Sequence, residues 1–326
     1  MERSMIITRT PLRISFTGGG TDICDYYRQN TGAVVNAAID KYIYITVNKK
    51  FDNSIRVSYS KTEIVPTVEE LHHELVRECL KLTGITGGIE ITSVSDIPSG
   101  TGLGSSSSFT VGVLNALFTY THQNLTPRQM AELACKIEID ILGHPIGKQD
   151  QFAAAYGGFN YFAFNSDDTV DRKRIRLSEL DLKRLEGKLM LFYTGIKRKA
   201  DTVLKEQKEN TAAKIDALHY MKSLADGMCN ELYTNGVNEN FGKALALGWD
   251  KKRSLADKIT NSQIDNCYEA GIAAGATGGK LLGAGGGGFL LFYCDEQYQD
   301  AVRRAVGLQE TVFRFDTHGS TVVYFA

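Results

Sequence analysis

The stretch Pro98-Ser99-Gly100-Thr101-Gly102-Leu103-Gly104-Ser105-Ser106-Ser107-Ser108 decides how the chain is read. An alternating run at residues 88–94 leads into it like a strand, and a helix-like run at 109–120 follows it. Its three glycines, each two apart, let a backbone turn through positive φ and approach a ligand with no Cβ in the way. Four serines then open the helix, where unpaired N–H groups and the positive end of the helix dipole gather. Glycine loop, hydroxyls and helix N-terminus together suit a phosphate. They equally suit a tight strand-to-helix turn of small residues, and the stretch alone does not separate the two.

Working outward, residues 11–22 read PLRISFTGGGTD. Arg13 lies in an otherwise apolar strand, as half of a buried ion pair or as a contact to a phosphate or a catalytic acid. Asp22 closes a flexible glycine loop, where it could cap a helix at 23–28 or accept hydrogen bonds from substrate hydroxyls. Downstream, Thr126-Pro127-Arg128-Gln129 is a capping box with proline at the first helical position, starting a helix that runs to about residue 142. Of its acids, Glu138 lies nearest the apolar side. Gly143 and Pro145 end that helix, and a second one begins near Gln149. Asp150 then falls in its first turn, either as an acid favoured by the dipole or as a general base with Lys148 two residues away. Near the end, KLLGAGGGGFLLF at 280–292 places Gly283, Gly285 and Gly288 in a G-x-G-x-x-G spacing. That fingerprint should open a helix; this one precedes a strand, so a dinucleotide site is not indicated. No G-x-x-x-x-G-K-[ST] and no G-x-S-x-G occurs, which disfavours a P-loop ATPase and an elbow hydrolase.

The chain has 326 residues, 43% of them hydrophobic, and a formal net charge of −1. This suits two globular domains and gives no general pull towards nucleic acid or anionic membrane. Six scattered cysteines without C-x-x-C predict reduced thiols and no zinc site. No apolar run reaches the roughly 18 residues of a membrane span, and the first residues lack a signal-peptide core, so a soluble cytoplasmic protein is expected. Strands are expected at 6–10 and 12–16 around Pro11, and at 32–38, 42–47 and 54–59. An amphipathic helix is expected at 67–82 with His72 and His73 on its surface. Residues 161–164 read as the last strand of the first half and 165–176 as a connection. A buried strand at 188–194 leads to Lys197, Arg198 and Lys199, either a solvated face or a phosphate contact. Helices at 200–233, 241–259, 262–274 and 296–306 follow, with strands at 312–315 and 321–325, and Trp249 in the core.

The three glycine motifs, PLRISFTGGGTD, PSGTGLGSSSS and KLLGAGGGGFLLF, stand in a fixed order that resembles the GHMP kinase superfamily across essentially the whole chain. GGGTD together with GKQDQFAAAYGGFNYF looks like the D-glycero-D-manno-heptose 7-phosphate kinases, which are similar in turn to fucokinase and galactokinase domains. The resemblance implies a two-domain α+β fold. A domain like the second domain of ribosomal S5 would occupy residues 1–175, a ferredoxin-like domain 176–326, and the active site the cleft between them. It implies ATP phosphates on Gly100, Thr101, Gly102, Leu103, Gly104, Ser105, Ser106 and Ser107, and Mg²⁺ on Ser106 and Glu138. Asp150 would be the base, with Arg13 against it. Gly19, Gly20, Thr21 and Asp22 would meet the sugar, and Gly286 and Gly287 would shape the cleft near the transferred phosphate and the substrate. Lys148, with Arg198 or Lys199, is expected to meet a phosphate already on the substrate, the alternatives being a pairing of Lys148 with Asp150 or with ATP. The implied reaction is ATP-dependent phosphorylation of the anomeric hydroxyl of heptose 7-phosphate, a small-molecule partner. Alternatives are an anomeric kinase of an unphosphorylated fucose-, mannose- or galactose-type sugar, and a non-catalytic regulator that binds ATP and sugar.

Overall fold

The computed structural model describes residues 5–197, 203, 205, 206, 210 and 212–326. Its two longest strands, β1 (Met5–Thr17) and β2 (Gly32–Lys49), pair antiparallel along nearly their full length. The expected interruptions at Pro11 and between residues 38 and 42 are absent. A register shift between Pro11 and Leu12 absorbs the proline, as bulges do. The neighbouring strand β12 (Thr321–Phe325) covers β1 only from Ile6 to Arg9, so Pro11, which has no N–H to donate, lies beyond the covered stretch.

The first sheet runs β12–β1–β2–β5 (Ile89–Ser95)–β3 (Ile55–Ser58)–β4 (Thr62–Val65). β2 divides its pairing: Gly32 to Ala37 bond to β6 (Phe159–Phe164), and Ile43 to Lys49 bond to β5. β7 (Val170–Arg174) adds to β6, so the polar segment expected as a connection carries an edge strand. Helix α3 (Ser105–Tyr120) packs on β1 and β2, burying Val111, Val113, Leu114, Ala116 and Leu117. Gly112 makes that approach possible, because a Cβ there would sit 2.8 Å from Thr10 Oγ1. The helix expected at 67–82 is split into a short 3₁₀ turn at Val68–Glu70 and a helix at Glu74–Thr83.

The second sheet has the order β11 (Gln309–Glu310)–β8 (Leu189–Tyr193)–β10 (Phe289–Tyr293)–β9 (Gly278–Leu281), antiparallel throughout. Counted along this half of the chain, that is fourth, first, third, second, the arrangement of a ferredoxin-like unit. LMLFY and FLLFY are its central strands, which explains their unbroken apolar runs. The strand expected at 312–315 is reduced to a single bridge between Phe315 and Ile39. β12 then leaves this half and completes the first sheet beside β1. All six cysteines are free thiols. Among the described residues no helix is long and apolar enough to cross a membrane.

Candidate active site

A cleft of about 1110 Å³ brings the three glycine motifs together. Its centre is Arg13, carried on buried β1 and itself 4% exposed. Arg13 Nε and Nη2 donate to the two carboxylate oxygens of Asp150 at 2.7 and 2.8 Å, a bidentate pair. Its Nη1 donates to Gly102 O at 2.7 Å, and its backbone N–H to Leu103 O at 3.0 Å. One guanidinium therefore ties the glycine loop to Asp150. Asp150 stands in the first turn of α5 (Gln149–Tyr156).

The glycine loop takes the conformation its composition allows. Gly100, Gly102 and Gly104 all have positive φ, and α3 starts directly after Gly104. Gly100, Gly102, Gly104, Ser105, Ser106 and Ser107 line the cleft. Thr101 and Leu103 do not: both are fully buried, and the Thr101 hydroxyl closes the turn on Pro98 O at 2.9 Å.

Behind the serines, α4 (Pro127–Cys135) begins with the expected capping box. It continues as a π-helical segment, Lys136–Ile141, instead of running on as an α-helix. Such segments recur at functional sites. Glu138 lies in it, fully buried. Its carboxylate accepts from Ser107 Oγ (2.8 Å), Thr110 Oγ1 (3.0 Å), Ser106 Oγ (3.3 Å) and the Gln151 side-chain amide. Burial pushes the Glu138 carboxyl up, against the lowering effect of the Ser107, Gln151 and Thr110 donors, and the charge of Asp150 pushes it further up. A divalent cation would offset that penalty. The Glu138 carboxylate and Ser106 hydroxyl are hard oxygen donors side by side, as Mg²⁺ requires. Among the described residues no trio of His, Cys, Asp or Glu converges as a cage, which Mg²⁺ bound with nucleotide phosphates does not need.

Asp22 is 3% exposed and lines the same cleft. The helix expected at 23–28 is Cys24–Asn30, and Asp22 does not cap it. It accepts instead from Gly20 N (2.9 Å) and Gln149 N (3.3 Å), while its own carbonyl accepts from Lys148 N (3.2 Å). This stitches the first glycine loop to the segment carrying Asp150. Only glycine fits at 147, since a Cβ there would lie 2.0 Å from Asp22 Oδ2. Burial raises the Asp22 carboxyl, and the backbone donors only partly counter it.

Several residues depart from their expected places. Thr21 is fully buried, its hydroxyl bonded to Gly18 O and Ala33 O, and it braces the loop without reaching the cleft. Lys148 turns away: its ammonium donates to Asp168 O (2.9 Å) and Asp168 Oδ1 (3.2 Å) and lies over the Tyr27 ring, and it is not on the cleft wall. Gly286 and Gly287 also lie off the wall, against Ile259 and Ile196; Gly283 and Ala284 of the same motif line it. Gly19 and Gly20 do line the cleft. Arg198 and Lys199 fall outside the described residues.

Other cleft residues were not legible as such. Lys280, 4% exposed, donates to Ser15 O and Phe16 O, both at 2.8 Å. Burial drives its pKa well down, with Lys252 and Arg13 adding repulsion. Lys252 donates to Gly283 O. The signal was a lysine among small and apolar residues, GGKLL. At the far end, His73 is stacked on Phe109 (5.0 Å between centroids) and meets Tyr59 edge-on (4.5 Å), all three lining the cleft. His73 is thus no plain surface residue, and burial lowers its pKa.

The GHMP kinases N terminal domain matches residues 67–158, and the GHMP kinases C terminal domain matches residues 229–309. The chain is 32% identical over 307 residues to the D-glycero-alpha-D-manno-heptose 7-phosphate kinase of Campylobacter jejuni, covering 89% of each. It is 27% identical to the galactokinase of Pyrococcus furiosus, covering 96% of this chain and 95% of that one. The structure of a D-glycero-D-manno-heptose 1-phosphate kinase from Bacteroides thetaiotaomicron superposes with a TM-score of 0.82 at 25% identity, covering 98% of this chain and 99% of that one. With both halves matched and a relative of this identity spanning nearly all of it, the chain belongs to the GHMP kinase family, as an ATP-dependent sugar kinase.

Proposed function

We propose that the protein transfers the γ-phosphate of ATP to the anomeric hydroxyl of D-glycero-D-manno-heptose 7-phosphate, giving the 1,7-bisphosphate. One observation carries the chemistry: the bidentate Arg13–Asp150 pair lies against the Gly100–Ser107 loop, bonded to Gly102, in the same cleft that Asp22 lines. The heptose in the names of two relatives supports the sugar.

Phosphoryl transfer needs positioning and neutralisation of charge more than covalent help. The loop N–H groups and the α3 N-terminus hold the nucleotide phosphates. Mg²⁺, held by Ser106 and Glu138, would neutralise charge on those phosphates. Arg13 fixes Asp150 so that a carboxylate oxygen receives the proton of the sugar hydroxyl, while the sugar oxygen bonds to the γ-phosphorus and the bond from that phosphorus to the departing ADP breaks. Asp22 accepts from a neighbouring sugar hydroxyl. The Tyr59–His73–Phe109 rings form an apolar end wall for the adenine.

A coupled ADP assay tests this, offering heptose 7-phosphate, heptose 1-phosphate, free heptose, fucose, mannose and galactose. Heptose 7-phosphate should give a kcat/KM at least about tenfold above the others, with a new anomeric phosphate by phosphorus NMR. A second reading, a kinase of an unphosphorylated sugar, is favoured by the position of Lys148, whose ammonium is engaged with Asp168 away from the cleft. Turnover of free sugars alone would establish it; ATP binding without turnover of any would make the protein a regulator.

A further inference from the structure

Two buried polar groups in the cleft have no partner. Ser15 Oγ, on a residue 3% exposed, and Gln149 Oε1 make no hydrogen bond to any described residue. Both residues line the cleft with Arg13, Asp22 and Asp150. Unmet polar atoms are uncommon inside proteins because each loses its hydration without replacement. Neither is a loose end here. The Ser15 carbonyl accepts from Lys280 Nζ at 2.8 Å, and the Gln149 N–H donates to Asp22 Oδ2 at 3.3 Å. The backbones are pinned while the side-chain polar atoms stay unmatched.

Gly19 lies between them. A Cβ on Gly19 would be 3.6 Å from Ser15 Oγ and 3.7 Å from Gln149 Nε2. With no side chain on Gly19, the gap between this hydroxyl and this carboxamide stays open to the cleft that all three residues line, and a ligand can approach both groups over the Gly19 backbone. Both groups are uncharged and can donate and accept, as a sugar hydroxyl does. A phosphate would call for cations or a bank of N–H donors.

We propose that Ser15 and Gln149 form a neutral subsite for ring hydroxyls of the acceptor sugar, with Gly19 as its floor. The subsite reads the hydroxyl pattern beside the reacting oxygen and so selects among sugars. It rests on the reading of Asp150 as the base that faces the acceptor.

Gly19→Ala is the most informative variant. Gly19 is not in the left-handed region, and the added Cβ makes only ordinary contacts, so the fold tolerates it. The new methyl stands between the two groups and obstructs the approach of a hydroxyl to them. The wild type is first run on the sugar panel to find the accepted sugar. On that sugar, Gly19→Ala should raise KM about tenfold or more, and Ser15→Ala and Gln149→Met about three- to tenfold each. KM for ATP should stay within about twofold and Tm within about 2 °C. A deoxy sugar lacking the hydroxyl read by Ser15 should be poor for the wild type and no poorer for Ser15→Ala. An unchanged sugar KM in Gly19→Ala, or a change in KM for ATP instead, overturns the subsite. Failure of the wild type on heptose 7-phosphate sinks that substrate alone, because the subsite is still read on whichever sugar the enzyme accepts.

Discussion

The first and third glycine motifs read alike and do different work. In the first, Gly19 and Gly20 line the cleft, and a side chain at Gly19 would meet only ordinary contacts. In the third, a Cβ on Gly288 would lie 2.2 Å from Thr101 O, and one on Gly283 would lie 2.4 Å from Gly102 Cα. That motif presses backbone against backbone on Thr101 and Gly102 of the second motif, whereas the backbone press in the first, Gly18 against Ala33, falls on β2. The lesson is that a glycine run marks close approach, and only the neighbouring atoms say whether a ligand or another piece of chain makes it.

Arg13 of the first motif holds Asp150 and bonds to Gly102, the residue against which Gly283 of the third motif presses. The largest expected effect is therefore Asp150→Asn, which should lower kcat about 10²- to 10⁴-fold in the ADP assay with little change in KM for ATP. A residual kcat within tenfold of wild type would mean that Asp150 is not the base. Next comes Glu138→Gln, expected to lower kcat/KM about 10- to 100-fold. The three hydroxyls around Glu138 can rotate to accept from the new amide, so the fold should stand. Because burial raises this carboxyl, the folded state binds its proton more readily than the unfolded chain does. Wild-type stability is therefore penalised as pH rises above the unfolded value of about 4.3, up to the folded one. Glu138→Gln should raise Tm by a few degrees at pH 7.5, and the gain should vanish as pH falls to 4. A scan showing the gain growing on acidification would reverse the assignment.

Gly288→Ala sharpens the comparison directly. At φ +103 and against the Thr101 carbonyl, it should cost about 5 °C or more in Tm and weaken ATP binding. A variant that kept its Tm but lost sugar affinity would make the third motif a substrate loop, the role proposed for the first. The smallest effect belongs to Lys148→Ala. Its ion pair with Asp168 is half exposed on the acid side, so Tm should fall by about 1–2 °C and sugar KM by less than twofold either way. A tenfold rise in KM for a phosphorylated sugar alone would restore Lys148 to the substrate.

Local signals carried much of this into the sequence. The capping box at Thr126, the helix opening after Gly104 and the placement of Asp150 in a first turn all depend on residues within a few positions of one another. What stayed illegible depends on distant chain. Lys280 bonds to carbonyls 264 and 265 residues away. Thr21 looks like a loop residue until Ala33 closes over it. Lys148 had the right charge at the right spacing, but a rotatable side chain goes where its partners are, and Asp168 was read as part of a connection. Pro11 spoke locally against a continuous strand, and the sheet overrode it through a register shift.

The last strand has a consequence for how the protein is made. Thr10 Oγ1 pairs with Ser320 Oγ across 310 residues, and β12 forms the β1 edge of the sheet that carries Arg13. During synthesis the chain therefore emerges with that edge bare, and it stays bare until the whole ferredoxin-like half has left the ribosome. The first sheet closes after translation of its other strands is long finished. For that interval β1 is an unpaired template for stray strands. A nascent chain halted before residue 321 would hold every glycine motif and still lack the strand that covers β1 from Ile6 to Arg9.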